Sequence, residues 1–310
     1  MRYTQYRFIV PQEKIVRVIT DTDAKNEADD QFAIAQALLS PKMENVGFIA
    51  AHFGTRRTQR SMAESYTELE TVFGKMGFDT AGMLHRGAPH ALPDAATPVD
   101  SEGARLIVRE AMRADERPLF VTFLGPLTDL ASAYLLEPRI AGRLTAIWIG
   151  GGAYPEGGVE FNLSNDIHAV NVVFASGIEV WQVPKNVYEM MAVSLAELEA
   201  RVRPCGAIGE YLCDQLHEHA ATEQPRKNPF RSGETWVLGD NPAVGLILYE
   251  HRFCFEWRCA PHISPDMTYH HTGRNRPIRV YGSIDSRLIL EDMYAKLRLF
   301  ADARKTLNPT

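Results

Sequence analysis

Apolar and polar positions along the chain fall into two alternating patterns. Short β-branched runs, KIVRVIT at 14–20, NVGFIAAH at 45–52, PLFVTFLG at 118–125, LTAIWIG at 144–150 and IEVWQVP at 178–184, have the length and composition of strands. Several are apolar almost without interruption, as expected of parallel strands covered by helices on both faces. Segments of helical character separate them at 29–39, 58–74, 103–114 and 166–176, the first stopped by Ser40 and Pro41. A last helix, within SIDSRLILEDMYAKLRLF, sets Leu288, Ile289, Met293, Leu297 and Phe300 at core-facing spacing. This alternation predicts an α/β fold with an open, mostly parallel sheet flanked by helices. The region 204–276 is less regular and holds Pro225, Pro229, Pro242, Pro261 and Pro265; it reads as helices and loops covering the crevice.

Composition narrows the picture further. With 45% hydrophobic and 23% charged residues the chain is neither disordered nor fibrous. No repeat, linker or compositional break divides it, so 1–310 reads as a single domain. A net charge of −6 offers no cationic excess for a polyphosphate backbone, which argues against nucleic acid as partner. Cys205, Cys213, Cys254 and Cys259 include no C-x-x-C pair and read as reduced thiols rather than a zinc site. The start, MRYTQYRFIVPQEK, lacks the apolar core of a secretory leader, and no stretch approaches the roughly 20 apolar residues of a membrane span. A cytoplasmic protein without a membrane partner is expected.

In open α/β sheets ligands settle beyond the carboxyl ends of the strands, so residues just after each strand come first in a search for chemistry. After the first strand comes DTDAKNEADD, which gathers Asp21, Asp23, Glu27, Asp29 and Asp30 within ten residues. Such crowding of negative charge calls for a compensating cation. The donors are all hard oxygens, which suits Ca²⁺ or Mg²⁺ better than zinc or copper. The EF-hand spacing, with its central Gly and terminal Glu, is missing. Taken singly, each Asp also suits a helix N-terminus or a turn. A strand followed by D-x-D also opens phosphotransferases with an aspartyl nucleophile, although nothing downstream supplies the Lys and second acidic pair they need.

VITDTDAKNEADDQFAIAQALL resembles the opening of the inosine–uridine-preferring nucleoside hydrolase family, whose signature is DTDxGxDD followed by a helix. FLGPLTDLA, WIGGGAYPEGGVEFNLSNDIHAVNVVF and VLGDNPAVGLIL resemble, in the same order, the family's GPLTNLA turn, its glycine turn with EFN, and its late HDPxAVA element. The resemblance runs from about residue 14 to the C-terminal helix. It implies a Rossmann-like core and an N-ribosyl hydrolase that binds one Ca²⁺ and splits the glycosidic bond of a small-molecule nucleoside, as a homodimer or homotetramer. By the same resemblance Asp23 is metal ligand and general base, Asp30 and Asp240 are metal ligands, and Leu124 lends a main-chain carbonyl to the metal. Asp29, Glu160 and Asn162 are the ribose-binding residues.

The chain departs from the family pattern at several places. Two extra residues separate Asp23 from Asp29, and Lys25, Asn26 and Glu27 stand where the family has Pro-Gly; Asn26 is the residue of this loop expected to meet substrate. After the second strand the family places an Asn, where this chain has AAHFGTRR and offers His52 or Thr55. Tyr154 stands near the place of the Asn of the glycine turn. Gly239 occupies the position where many members carry a His that protonates the departing base. In its absence, stacking on Trp257 or Trp236 would activate the base, or His270 or His271 would supply a proton. The alternative is a ribosyl-ligand binder that has lost leaving-group chemistry. Arg56, Arg57 and Arg60 fit a phosphate contact or a solvated helix start, and PRKNPFRSGETW at 225–236 has the character of a lid or a surface loop.

Overall fold

The computed structural model of the protein describes residues 1–223, 233–249 and 254–307. The first half alternates as the sequence predicts, with β3 and α4 as elements the sequence reading did not include: β1 (Val16–Thr22), α1 (Asp30–Leu38), β2 (Met43–Ala50), α2 (Ser61–Met76), β3 (Leu84–Arg86), α3 (Glu102–Ala111), β4 (Leu119–Phe123), α4 (Thr128–Leu136) and β5 (Thr145–Ile149). Then follow α5 (Phe161–Asn165), α6 (Ile167–Ala175), β6 (Glu179–Val183), α7 (Lys185–Tyr188), β7 (Ala192–Ser194), α8 (Leu195–Arg201) and α9 (Gly206–Glu223). The last part holds β8 (Thr235–Val237), α10 (Asn241–Leu248), β9 (Phe255–Cys259), β10 (His262–Ile263), β11 (Tyr269–His270), β12 (Pro277–Tyr281) and α11 (Ser286–Leu307).

One eight-stranded sheet organises these elements, in the order β3-β2-β1-β4-β5-β6-β12-β9. Every pairing is parallel except that of β9 with β12. From β1 the chain winds outward through β2 and β3, then returns to the other side of β1 with β4. The strand order therefore reverses between β1 and β4, and the crevice at their carboxyl ends is where a doubly wound sheet receives its ligand.

Both faces of the sheet are covered, which explains the unbroken apolar strands. Alternate residues of β5 divide between the two sides. Ala146 and Trp148 pack with α3, α4 and α6, whereas Ile147 and Ile149 pack with α1 and α10. Each such fully buried large side chain contributes about 1.5–3 kcal/mol. A third cluster joins α1, α2, α9 and α11 around Phe32, Phe48 and Phe73, with Ile289, Met293, Leu297 and Phe300 buried as the helical spacing requires; Leu288 is exposed at 38%.

The region 204–276 corrects the sequence reading in part. It does contain α9 and the loops around β8 and β10, but residues 255–259 form the antiparallel edge strand of the main sheet rather than a cover. Most of the 225–236 segment lies outside the described residues. Among the described residues no helix is long and apolar enough to cross a membrane, and the four cysteines are free thiols.

Candidate active site

The sheet brings the acidic residues to the β1/β4 switch point. A cleft of about 50 Å³ is lined by Asp23, Asn26, Glu27, Asp29, Asp30, Leu124, Ile149, Glu160, Phe161, Asn162, Tyr188, Gly239 and Asp240. Four of its carboxylates, from distant parts of the chain, share one kind of position. Asp29 is the N-cap and Asp30 the first residue of α1, Glu160 is the N-cap of α5, and Asp240 is the N-cap of α10. The positive end of a helix dipole makes each of these positions tolerant of negative charge.

Oxygens of Asp29, Asp30 and Asp240 lie within 4.8 Å of one another, and all three residues are buried. Asp23 lies beside them, 1% exposed, and its Oδ2 has no hydrogen-bond partner. Burial, followed by repulsion from Asp30 and Asp29, raises the carboxyl of Asp23 well above the ordinary range. Asp240 is raised by burial and then by Asp29, Asp30 and Asp23. Asp29 is pushed up to about 7 by burial and by Asp30, opposed by backbone N–H groups of Asp29, Gly239 and Asp30. Burial also lifts Asp30 to about 7 against the hydroxyl of Thr22, which donates to its Oδ1. Four buried carboxylates that resist ionisation together fit a divalent cation, which would favour their charged forms. Hard oxygen donors of this kind suit an ion of the Ca²⁺ or Mg²⁺ type.

The turns around the cleft are built for close approach. A Cβ placed on Gly125, just after β4, would stand 2.9 Å from Cγ of Asp23, so only glycine lets this turn pass the carboxylate. Trp148 Nε1 donates to the Gly125 carbonyl at 3.2 Å and anchors the turn to β5. Asn162 Nδ2 donates to the carbonyls of Leu124 at 2.8 Å and Ile149 at 2.9 Å, joining the ends of β4 and β5. The Leu124 carbonyl is thus at the site, with one lone pair engaged. Glu160 accepts from the N–H groups of Gly151 and Leu163, both at 2.8 Å, from Asn162 N–H at 3.1 Å and from the Tyr188 hydroxyl at 3.0 Å.

Two residues expected to meet substrate are placed elsewhere. His52 is buried beside the cleft but does not line it: Gly54 N–H donates to its Nδ1 at 3.1 Å, and its Nε2 sits 2.9 Å from Thr128 Oγ1. Thr128 in turn donates to Asp166 Oδ2 at 2.7 Å. With both ring nitrogens engaged, His52 holds the loop after β2 to the starts of α4 and α6. Trp257 lies on the outer strand β9, 54% exposed, against Phe255 and Arg279, away from the cleft lining. Trp236, the other candidate platform, is closer to the chemistry. It lines a cavity of about 330 Å³ with Asn26, Glu27, Phe53, Arg56, Arg57 and His219, which adjoins the cleft through Asn26, Glu27 and Phe161. Arg56 stacks on Phe161 and Arg57 on Phe53, so this basic pair borders the site rather than merely opening α2. Tyr154 borders a separate crevice with Pro184 and Phe255, and His271 is held by the Pro155 carbonyl.

Sequence reasoning missed Tyr188. It follows β6 directly, at the end of KNVY, and the rule that sites lie just past parallel strands would have found it. A Cβ on Gly239 would stand 3.1 Å from Cδ2 of Tyr188 and 3.3 Å from Asp29 Oδ2. A side chain at 239 would therefore crowd the ring of Tyr188, which would have to give by a few tenths of an ångström. Burial and then Glu160 raise its hydroxyl far above neutrality, so it serves as a hydrogen-bond donor and not as an acid.

Residues 18–290 match the inosine-uridine preferring nucleoside hydrolase family. The chain belongs to this family. Membership makes it an N-glycosyl hydrolase acting on nucleosides. Among curated relatives of this nucleoside hydrolase, a probable uridine nucleosidase 2 of Arabidopsis thaliana is 26% identical over 64% of this chain and 68% of its own. A pyrimidine-specific ribonucleoside hydrolase of Salmonella paratyphi A is 27% identical over 67% of this chain and 73% of its own. In structure the nucleoside hydrolase is similar to a purine-preferring ribonucleoside hydrolase from Gardnerella vaginalis, with a TM-score of 0.75 at 18% identity over 93% of this chain and 99% of the other. A plant nucleoside hydrolase aligns with a TM-score of 0.72 at 18% identity, covering 91% and 99%. These likenesses show a shared fold.

Proposed function

We propose that this nucleoside hydrolase cleaves the N-glycosidic bond of a ribonucleoside with the aid of one Ca²⁺ ion, releasing ribose and the free base. The observation that carries the reading is the buried, unpartnered Oδ2 of Asp23 beside the cluster of Asp29, Asp30 and Asp240. Asp23, Asp30, Asp240 and the Leu124 carbonyl would hold the ion. Asp29 belongs to the same cluster, and the family resemblance assigns it to the ribose hydroxyls rather than to the ion. When bound, the cation supplies the positive charge that offsets this cluster and makes the attacking water more acidic.

The chain's own residues then divide the work. Asp23 accepts the proton of the attacking water at its free oxygen. Asp29 grips the ribose hydroxyls, and the negative charge of Asp29 and Glu160 favours the oxocarbenium-like sugar of the transition state. Glu160 is saturated by four donors and so contributes charge and position, while Asn162 offers Oδ1 to the sugar. Asn26 stands where the cleft meets the aromatic cavity. That cavity, walled by Phe53, Phe161 and Trp236, receives the departing base by stacking, which takes the place of an acid at 239.

The names of the curated relatives support uridine as the first substrate to try. A panel of uridine, cytidine, inosine and adenosine assayed for reducing-sugar release tests the proposal. Turnover of at least one member is expected, and Asp23→Asn should lower it by about 10²–10⁴-fold with the fold intact by circular dichroism. No sugar release from any member, or full activity in Asp23→Asn, contradicts it.

A further inference from the structure

We propose that β9 is the dimer interface of this protein, pairing antiparallel with β9 of a second copy across a twofold axis centred on Trp257. β9 is the outermost strand of the sheet, and among the described residues only β12 pairs with it. Its register fixes which groups face outward. Gly282 N–H donates to the Cys254 carbonyl at 2.7 Å and Ala260 N–H to the Arg276 carbonyl at 3.1 Å, so the even-numbered residues of β9 form the hydrogen-bonded pairs with β12. By the alternation of an antiparallel ladder, Phe255, Trp257 and Cys259 direct their N–H and C=O groups to the free edge.

The sequence of the strand, FEWRC, is self-complementary in charge about its central residue. Two copies paired about Trp257 set Phe255 opposite Cys259 and Trp257 opposite itself as hydrogen-bonded pairs. Glu256 of each copy then faces Arg258 of the other in the non-hydrogen-bonded positions, where opposed Cα atoms come within about 4.5 Å. Opposite charges at such positions stabilise a sheet and like charges destabilise it. Both groups are accessible for the exchange: their side chains are 71% and 42% exposed and already meet each other within one chain at 2.6 Å. Trp257, 54% exposed on the opposite face, would be covered by its counterpart, with Arg279 stacked 5.2 Å from its ring centroid. An edge of this kind is a ready template for strand pairing, and an isologous contact closes at two subunits.

Charge reversal tests the register. Glu256→Arg places Arg opposite Arg in both pairs, and Arg258→Glu places Glu opposite Glu. Neither residue belongs to the cleft, so nucleoside turnover plays no part in the readout. Sedimentation equilibrium should give the wild type at twice its 34.8 kDa chain mass, and each single variant should dissociate roughly tenfold more readily or further. An equimolar mixture of the two variants should recover wild-type association as a mixed dimer, because every opposed pair is again Arg against Glu. A wild type that stays monomeric, single variants that associate as tightly as the wild type, or a mixture that fails to associate each overturn the proposal.

Discussion

Asp29 and Asp30 show at the scale of single residues what an acidic cluster demands. Burial above all, with Asp30 acting on Asp29 and Glu27 on Asp30, pushes their carboxyls from an ordinary 3.8 up to about 7. Cation binding must therefore displace protons held up to that value, so affinity rises with pH until they are gone. Calorimetric titration should show Ca²⁺ binding tightening between pH 6 and 8, accompanied by proton release. Binding that weakens over this window contradicts the assignment. Gly239 carries a second prediction. Gly239→His should not improve turnover, because the new side chain meets Tyr188 and Asp29. Shortening the neighbour in Gly239→His/Tyr188→Ala should relieve that crowding and raise kcat above the single variant. A single variant faster than wild type would show that the space was free.

The residues legible in the sequence were those whose chemistry is concentrated in one segment. Asp23, Asp29 and Asp30 stand in a single acidic run, and Glu160, Asn162 and Asp240 in recognisable turns. Tyr188 was hidden because its neighbours KNV and EMM carry no chemical signature. Its importance arises only when α7 and α10 bring it against Gly239. His52 lies outside the cleft lining for a similar reason, since a polar residue after a strand can reach the ligand or brace the loop, and partner positions decide which.

Elements act here mainly through their ends. Helix N-termini hold Asp29, Asp30, Glu160 and Asp240, and side chains from one element tie the tips of others together. Asn162, at the start of α5, joins β4 to β5 through two carbonyls. Asn162→Ala leaves both without that donor and should cost about 1–3 kcal/mol of stability by chemical denaturation, besides raising KM. No change in either would remove it from the scaffold. The His52–Thr128–Asp166 chain braces the opposite wall. Burial lowers the His52 value from 6.5 to about 4, so the fold keeps the ring neutral where the unfolded chain would protonate it. Between pH 6.5 and about 4 the unfolded state thus binds more protons, and stability falls as pH falls. His52→Gln should flatten this slope in melting curves taken from pH 7 to 5; an unchanged slope would assign it to other groups.

At this scale the buried parallel strands were easy to read, because helices on both faces leave them apolar throughout. β9 was not, since FEWRC is too short for a continuous apolar run, alternates its apolar positions with charges and lies largely exposed at the sheet edge. α4 was obscured by the turn motif that opens it, GPLTDLA, and α9 by a weakly segregated apolar face.

The whole molecule is a doubly wound sheet whose single reversal of strand order decides where chemistry can occur. Parallel strands point their carboxyl ends toward one rim, and β1 and β4 part there, leaving a crevice flanked by helix N-termini. Alternation along the sequence predicted the mostly parallel sheet and chemistry beyond its carboxyl ends, but not which two strands part. It did not reveal that part of the region 204–276 completes the sheet, because long-range pairing of β9 with β12 leaves no local trace. In the proposed function, hydrolysis depends on one cation held by the aspartates of this crevice. The most direct test is to strip the protein with chelator, measure ribose release from uridine or another turned-over nucleoside, and restore Ca²⁺ stepwise. Activity should vanish in the stripped protein and return in proportion to occupancy of one Ca²⁺ per chain, with Asp240→Asn requiring at least tenfold more ion. Full activity in the stripped protein, or recovery unaffected by Asp240→Asn, would mean that these aspartates hold no ion needed for hydrolysis.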